Sequence, residues 1–321
     1  MPISVEHWEA RIGRRIRLRD LHILLTVVQQ SSMAKAARQL AVSQSAISKA
    51  IADLEYTLGV RLLDRSPRGV EPTLYGSALA KRGLAAFDEL RQGVGEIEFI
   101  SNASVGEVRV GCPESMSATL LPLAIRQLSA RYPGISVQVA QINPITLDIR
   151  ELRERNVDLM IGRMAPAFAE EDLKVEILFE ERLVVVVGAQ SHWARRRKIE
   201  LSELVEAKWI QNPPGEAPRV LVDKAFAARG LSPPRAAVAT FSFYLRDMLL
   251  TSGDYVSVIP ISMVRVFNAK MPAVKVLPID LGIQARPVAI FTLKNRTLSP
   301  AADLFIRSIR ASAKSISSNR N

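Results

Sequence analysis

The chain has 321 residues, a formal net charge of +11, 48% hydrophobic and 23% charged residues. At roughly 100–200 residues per domain this is a folded protein of two or three domains, not a disordered, collagen-like or low-complexity chain. The single cysteine, Cys112, excludes an internal disulfide and a cysteine metal cluster, and His7, His22 and His192 lie too far apart for a metal-ligand spacing, so no metal or cofactor is expected.

The first residues, MPISVEHWEARIGRRIRLRD, lack the apolar core of a secretory leader. The longest apolar runs, such as LVVVVGA from Leu183, are too short to span a bilayer. A cytoplasmic location without membrane association is therefore expected. The basic excess suits a polyanionic partner, chiefly nucleic acid, but it is spread over the whole chain, so a generally basic protein fits it as well.

In chain order, Leu21, Leu24, Leu25 and Val28 follow i, i+3, i+4, i+7 and predict an amphipathic helix. A short alanine-rich helix is expected at 33–40, then a tight connection at Ala41-Val42. Ser43 suits the N-cap of a third helix whose apolar face is Ile47, Ile51, Leu54 and Leu58, and Gly59 suits its end. Three short helices with a tight turn between the second and third follow the helix-turn-helix plan. The polar face of the third helix begins with Gln44, Ser45, Ser48 and Lys49. Gln can pair with adenine and Lys can reach guanine or phosphate, as a recognition helix requires. A solvated face of a small helical bundle gives the same pattern.

The segment RLLDRSPRGVEPT carries Arg61, Arg65 and Arg68 around a Ser-Pro-Arg-Gly turn. Two extended arms joined there make a basic wing whose Arg65 and Arg68 suit backbone or minor-groove contacts. Thr73 then caps a long helix. In it Leu79, Gly83, Ala86, Leu90, Gly93, Ile97 and Ile100 recur at heptad spacing, the seam of a helix that pairs with another helix.

The run from Leu18 to Gly76, with AARQLAVSQSAISKAIADLE, then LGVRLLDR, then a Thr and Gly opening the next helix, resembles the DNA-binding head of LysR-type transcriptional regulators. Leu63 stands where that family usually has Phe, and the 17-residue extension before the first helix, with Arg11, Arg14, Arg15 and Arg17, is longer than in many members. The resemblance implies DNA contacts from Ser32, Ser43, Gln44, Ser45, Ser48, Lys49, Arg65 and Arg68. It also implies a homodimer through the long helix, or a tetramer. Within the family the head is most similar to the branch of sugar-binding-protein and aromatic-acid catabolism regulators.

The polar SNASVGE stretch marks a boundary, beyond which strand and helix patterns alternate. EVRVG, SVQVAQI and VDLMIG read as three strands with helices between them, including one at about 145–155. LVVVVG, KWIQ, RAAVAT and YVSVIP form a second set, with helices at about 218–229 and 242–251. RPVAIFTL and a helix at 301–313 return to the first set. The expected fold class is α+β multi-domain: a winged helix-turn-helix, a linker helix and a two-lobed α/β effector domain with mostly parallel sheets, which the resemblance likens to a periplasmic binding protein.

The expected division is an extension at 1–17, a head at 18–75, a linker helix at 73–103 and an effector domain at 107–321. Lobe I takes 107–180 and 285–313, and lobe II takes 181–284. Ligand contacts in such a fold come from the carboxyl ends of strands and the helix starts that follow. That selects Glu114, Ser115, Met116, Asn143, Ile145, Thr146, Gly162 and Arg163 from lobe I, and Gln211, Asn212, Ser242 and Phe243 from lobe II. Helix capping explains several of these equally well. The hydroxyls and amides suit a sugar or an organic or aromatic acid, and Arg163 favours an anion. Cys112 reads as a core residue rather than an oxidant sensor, and RRRK at 195–198 as a solvated loop.

The leading reading is a non-enzymatic, DNA-binding, ligand-responsive transcriptional regulator. A solute sensor whose N-terminal helices serve only assembly is the alternative. Phosphate loops, nucleophile elbows and HExxH motifs are absent from the sequence.

Overall fold

A computed structural model describes residues 15–66, 69–142, 149–164, 170–269 and 271–318. The chain divides into two compact units, Met1–Gln92 and Gly93–Asn321.

In the first unit, α1 (Leu18–Gln30), α2 (Met33–Gln39) and α3 (Gln44–Leu58) surround one core of Ile23, Leu24, Val27, Met33, Ala36, Ile47, Ile51, Leu54 and Leu63. Of the four positions the i, i+3, i+4, i+7 spacing selected on α1, Leu24 alone is fully buried; Leu21, Leu25 and Val28 are half-buried, and the buried face is completed by Ile23, Thr26 and Val27. Each start has a physical reason: the Ser32 and Ser43 hydroxyls accept the Lys35 and Ala46 N–H groups. α3 stops where Gly59 turns left-handed, at φ 67°. Leu63, standing where the family usually has Phe, is 3% exposed and fills its place in the core.

The wing is the antiparallel pair β1 (Leu63–Ser66) and β2 (Gly69–Pro72). Its base is tied down by Glu55, whose Oε1 accepts from Leu62 N at 2.8 Å and Leu63 N at 3.2 Å. α4 (Leu74–Ser101) begins beneath a Thr73 hydroxyl that accepts the Gly76 N–H at 3.1 Å and donates to Arg61 O at 2.8 Å. Gly76 is a close-approach glycine: a Cβ there would lie 1.9 Å from Leu62 O. Gly76→Ala is therefore expected to cost the head about 1–3 kcal/mol through overpacking, read by calorimetry as a lower head transition. An unmoved transition would show that the wing-to-helix junction yields freely.

The second unit carries two mixed five-stranded sheets. The lobe I sheet is built from β3 (Val105–Cys112), β4 (Gly134–Gln141), β5 (Leu159–Arg163), β6 (Leu173–Glu181) and β12 (Arg286–Leu293), in the order β4-β3-β5-β12-β6. One of its faces is packed by α5 (Glu114–Arg131) and α10 (Pro300–Ser318) through Met116, Leu120, Ala124, Phe305 and Ile309. The lobe II sheet runs β11-β7-β10-β8-β9, made of β7 (Leu183–Gly188), β8 (Lys208–Gln211), β9 (Ala236–Ala239), β10 (Tyr255–Pro260) and β11 (Val274–Val276).

Lobe II explains the uninterrupted LVVVVG run. Val185 and Val187 face the core closed by α7 (Ala217–Ala227), whereas Val184 and Val186 face α8 (Phe243–Ser252) and α9 (Ile261–Phe267). A strand covered on both faces has no polar side. Trp209, fully buried, donates its Nε1–H to Leu204 O at 2.7 Å.

Four of the five strands in each sheet run the same way, as the strand-helix alternation predicts, and one strand in each is reversed. β12 runs antiparallel to both β5 and β6, and β7 runs antiparallel to both β10 and β11. The reversed strands are those by which the chain changes lobe: β6 of lobe I passes directly into β7 of lobe II, and the chain returns to lobe I through β12. The helix expected at 145–155 is described only as α6 (Arg150–Arg153), because 143–148 lie outside the described residues. Among the described residues no helix is long and apolar enough to cross a membrane.

Candidate functional site

Two surfaces gather the residues singled out in the sequence. On the head, α3 buries Ile47, Ala50, Ile51 and Leu54 and turns Gln44, Ser45 and Lys49 outward at its first turns. Ser48 is half-buried and its hydroxyl donates to Met33 Sδ at 3.6 Å, so it is less free than its neighbours. Ser43 lies within 2.9 Å of the Ser45 hydroxyl while capping α3, and Ser32 caps α2. Arg65 is exposed on β1; Arg68, together with Arg11 and Arg14 of the N-terminal extension, lies outside the described residues. A helix tip held from behind by its apolar face, with exposed Arg65 on a wing strand of the same unit, has the form of a duplex reader.

In the effector unit, Glu114, Ser115, Arg163, Asn212 and Phe243 line one cavity of about 60 Å³ between the lobes, beside Gln141, Phe241 and Pro260. Arg163 at the end of β5 pairs with buried Glu181 and donates to Ser115 Oγ at 3.3 Å. Glu114 reaches across: its Oε1 and Oε2 accept the Phe243 N–H at 3.2 and 3.1 Å.

Four candidates sit elsewhere. Met116 is fully buried among the lobe I core residues, because its place on α5 points it at the sheet. Gly162 is buried within β5, paired with Ala289. Gln211 is buried and donates to Pro234 O at 3.2 Å. The Ser242 hydroxyl is engaged in capping α8 through Leu245 N. Met116, Gly162, Gln211 and Ser242 are thus held by packing, pairing and capping rather than lining the cavity. Asn143, Ile145 and Thr146 lie outside the described residues.

Arg246 is the residue the sequence did not disclose. It is 2% exposed and donates to Ile210 O, Ser257 Oγ, Asn212 Oδ1 and Thr240 O, all uncharged acceptors. Burial pulls its guanidinium down to about 10, and the negative charge of Glu114 pushes the other way. The only sequence signal was an Arg-Asp pair in an otherwise largely apolar helical segment, FYLRDMLL. Cys112 is buried beside the Ser117 hydroxyl at 3.2 Å, and burial raises its thiol above the ordinary value. Among the described residues no group of His, Cys, Asp and Glu could hold a metal ion.

A winged helix-turn-helix head joined by a long helix to a two-lobed unit with a cavity between its lobes defines a DNA-binding regulator with an effector domain. Residues 18–77 match the bacterial regulatory helix-turn-helix model of the LysR family, and residues 101–314 match the LysR substrate-binding domain. The chain belongs to the LysR family of bacterial transcriptional regulators.

It is 30% identical over 301 residues to the uncharacterized regulator YdcI of Escherichia coli K12, covering 94% of this chain and 97% of that one. It is 28% identical to the regulator GbpR of Azospirillum brasilense, covering 93% and 87% of the two chains. In fold it is similar to the LysR-family regulator CbnR, with a TM-score of 0.61 and 21% identity over 93% of this chain and 99% of that one. It is also similar to a full-length OxyR variant from Pseudomonas aeruginosa, with a TM-score of 0.62 and 23% identity over 94% of each chain.

Proposed function

We propose that two copies pair through α4 and set two α3 helices into successive major grooves of an operator in the cytoplasm, with a small effector in the inter-lobe cavity shifting that engagement. The observation that carries the DNA half is the tip of α3: Gln44, Ser45 and Lys49 are exposed while Ile47 and Ile51 are completely buried behind them. Gln44 and Lys49 would read base edges and phosphate, Ser45 and Ser48 the backbone, and Arg65 with Arg68 the flanking groove. Ser32 and Ser43 would act mainly by fixing helix starts. Pairing through α4 is supported by a row of exposed apolar side chains, Leu90, Val94, Ile97 and Ile100, each more than half exposed. Tetramers form in this reading when two such dimers meet on DNA.

The effector would be a sugar or an organic or aromatic acid held by Ser115, Arg163, Asn212 and the start of α8. Binding one lobe arrangement better than another, it shifts the DNA-bound population, and DNA shifts effector affinity reciprocally. Gel shifts on promoter fragments at rising salt test the DNA half; specific binding should fall steeply, with a log-log slope set by the phosphates contacted. A thermal-shift screen of sugars and acids tests the effector half. Ser115→Trp, which fills the cavity, is expected to remove the shift given by any effector found there, a loss of about 3 kcal/mol at roughly 100-fold excess over its Kd. A shift that survives Ser115→Trp places the effector elsewhere.

A further inference from the structure

The inter-lobe cavity is closed by the protein itself. Its volume of about 60 Å³ leaves room for a water or two, whereas small-molecule sites usually run to about 300–1,000 Å³. What spans it is the Glu114 carboxylate, which comes from the first turn of α5 in lobe I and seats both oxygens on the Phe243 N–H in lobe II.

The seat has the character of an anion site. Phe243 opens α8, whose N-terminal dipole attracts negative charge. One turn on, Arg246 is buried with uncharged hydrogen-bond acceptors, and its Nε has no hydrogen-bond partner among the described residues. A buried cation needs a compensating charge. Glu114 supplies negative charge toward it from the opposite lobe.

We infer that Glu114 is a built-in stand-in for the acid group of the effector: its carboxylate holds the lobe II seat at the Phe243 N–H, one helical turn from buried Arg246, and a small carboxylate must displace it to enter the cavity. The inference rests on the reading of the inter-lobe cavity as the effector site. It selects acids over neutral sugars, because a hydroxyl brings no charge to set against Arg246. It also gives the resting protein its closed form, since the same contact joins the two lobes.

The test is chemical rescue in the full-length protein. Truncation in Glu114→Ala empties the seat, and sodium acetate supplies a carboxylate of the right size. At matched ionic strength, acetate is expected to raise the effector-domain melting temperature of Glu114→Ala by about 3 °C at roughly tenfold excess over its Kd. It should leave the wild type unmoved, and acetamide should act on neither. Equal acetate shifts in both proteins, or none in either, overturn the inference. If Glu114→Ala fails to fold, Glu114→Gln carries the test, since its uncharged amide is the weaker competitor. Acetate should then stabilise Glu114→Gln more than the wild type, and equal shifts overturn the inference. The cavity reading is judged separately by Ser115→Trp. An effector shift abolished by Ser115→Trp, with no acetate rescue, removes the stand-in and keeps the cavity. A shift surviving Ser115→Trp removes both.

Discussion

Gln44→Ala combined with Lys49→Ala is expected to weaken specific DNA binding by about a hundredfold or more, because each base-edge contact is worth about 1–3 kcal/mol. Both side chains are exposed at the tip of α3, so the melting temperature should change by less than the equivalent of about 0.5 kcal/mol. Ser48 is the poorer target, since its hydroxyl is turned toward Met33 and its loss disturbs packing. The measurement is a binding titration on a duplex selected by the wild-type protein, repeated across salt. If Lys49 meets a phosphate, the salt slope falls by about one. Unchanged affinity would mean that the tip of α3 does not face the duplex.

Asp158→Ala is expected to cost about 3–5 kcal/mol, the largest stability effect in the effector domain, because it strands a buried arginine. Asp158 accepts from Arg296 at 2.6 Å and from both the backbone and the guanidinium of Arg109 at 2.8 Å. The Arg296 side chain is completely buried. At about 2–4 °C per kcal/mol for a domain of this size, the transition should fall by roughly 10 °C.

The pH dependence has a definite sign. Burial raises the Asp158 carboxyl, but the hydrogen bonds and charge of Arg109, with the charge of Arg296, outweigh it and hold the group below its ordinary value. A carboxyl lowered on folding stabilises above its unfolded pKa of about 3.9, and that stability is lost as pH falls through the lower folded value. The gap between wild type and Asp158→Ala should therefore be widest near neutrality and narrow in acid. A gap independent of pH would show that Asp158 acts through packing alone.

The head was readable because each of its helices is specified locally. Apolar spacing sets the buried face of α3, Ser32 and Ser43 mark starts, and Gly59 marks an end, all within a few residues of the feature they control, whereas on α1 the spacing gave Leu24 but not the Ile23, Thr26 and Val27 buried beside it. The effector domain was readable strand by strand, through runs such as LVVVVG and KWIQ, but the reversal of β7 and β12 against their sheets was not. Whether β12 runs with or against β5 depends on residues more than a hundred positions away. β6 was missed because it is an edge strand whose buried and exposed positions alternate irregularly, in a segment rich in Glu.

In the cavity, Glu114, Ser115 and Arg163 were accessible as post-strand polar residues. Met116 was not separable from them, since one step along a helix decides between cavity and core. Arg246 was invisible for a different reason. Its surroundings come from β8, β10 and the turn after β9, and no window of sequence contains them.

The position of β12 between β5 and β6 bears on the order in which the nascent chain matures. Lobe II has all its strands in one uninterrupted stretch, β7 to β11, and can close as soon as that stretch leaves the ribosome. The earlier-made strands of lobe I must wait, with Val110, Leu159 and Ile161 only partly covered by α5, until β12 and the Phe305 face of α10 arrive at the end of synthesis. The lobe translated first is completed last, and a ribosome that stops before β12 releases a finished inner half attached to an unfinished outer one.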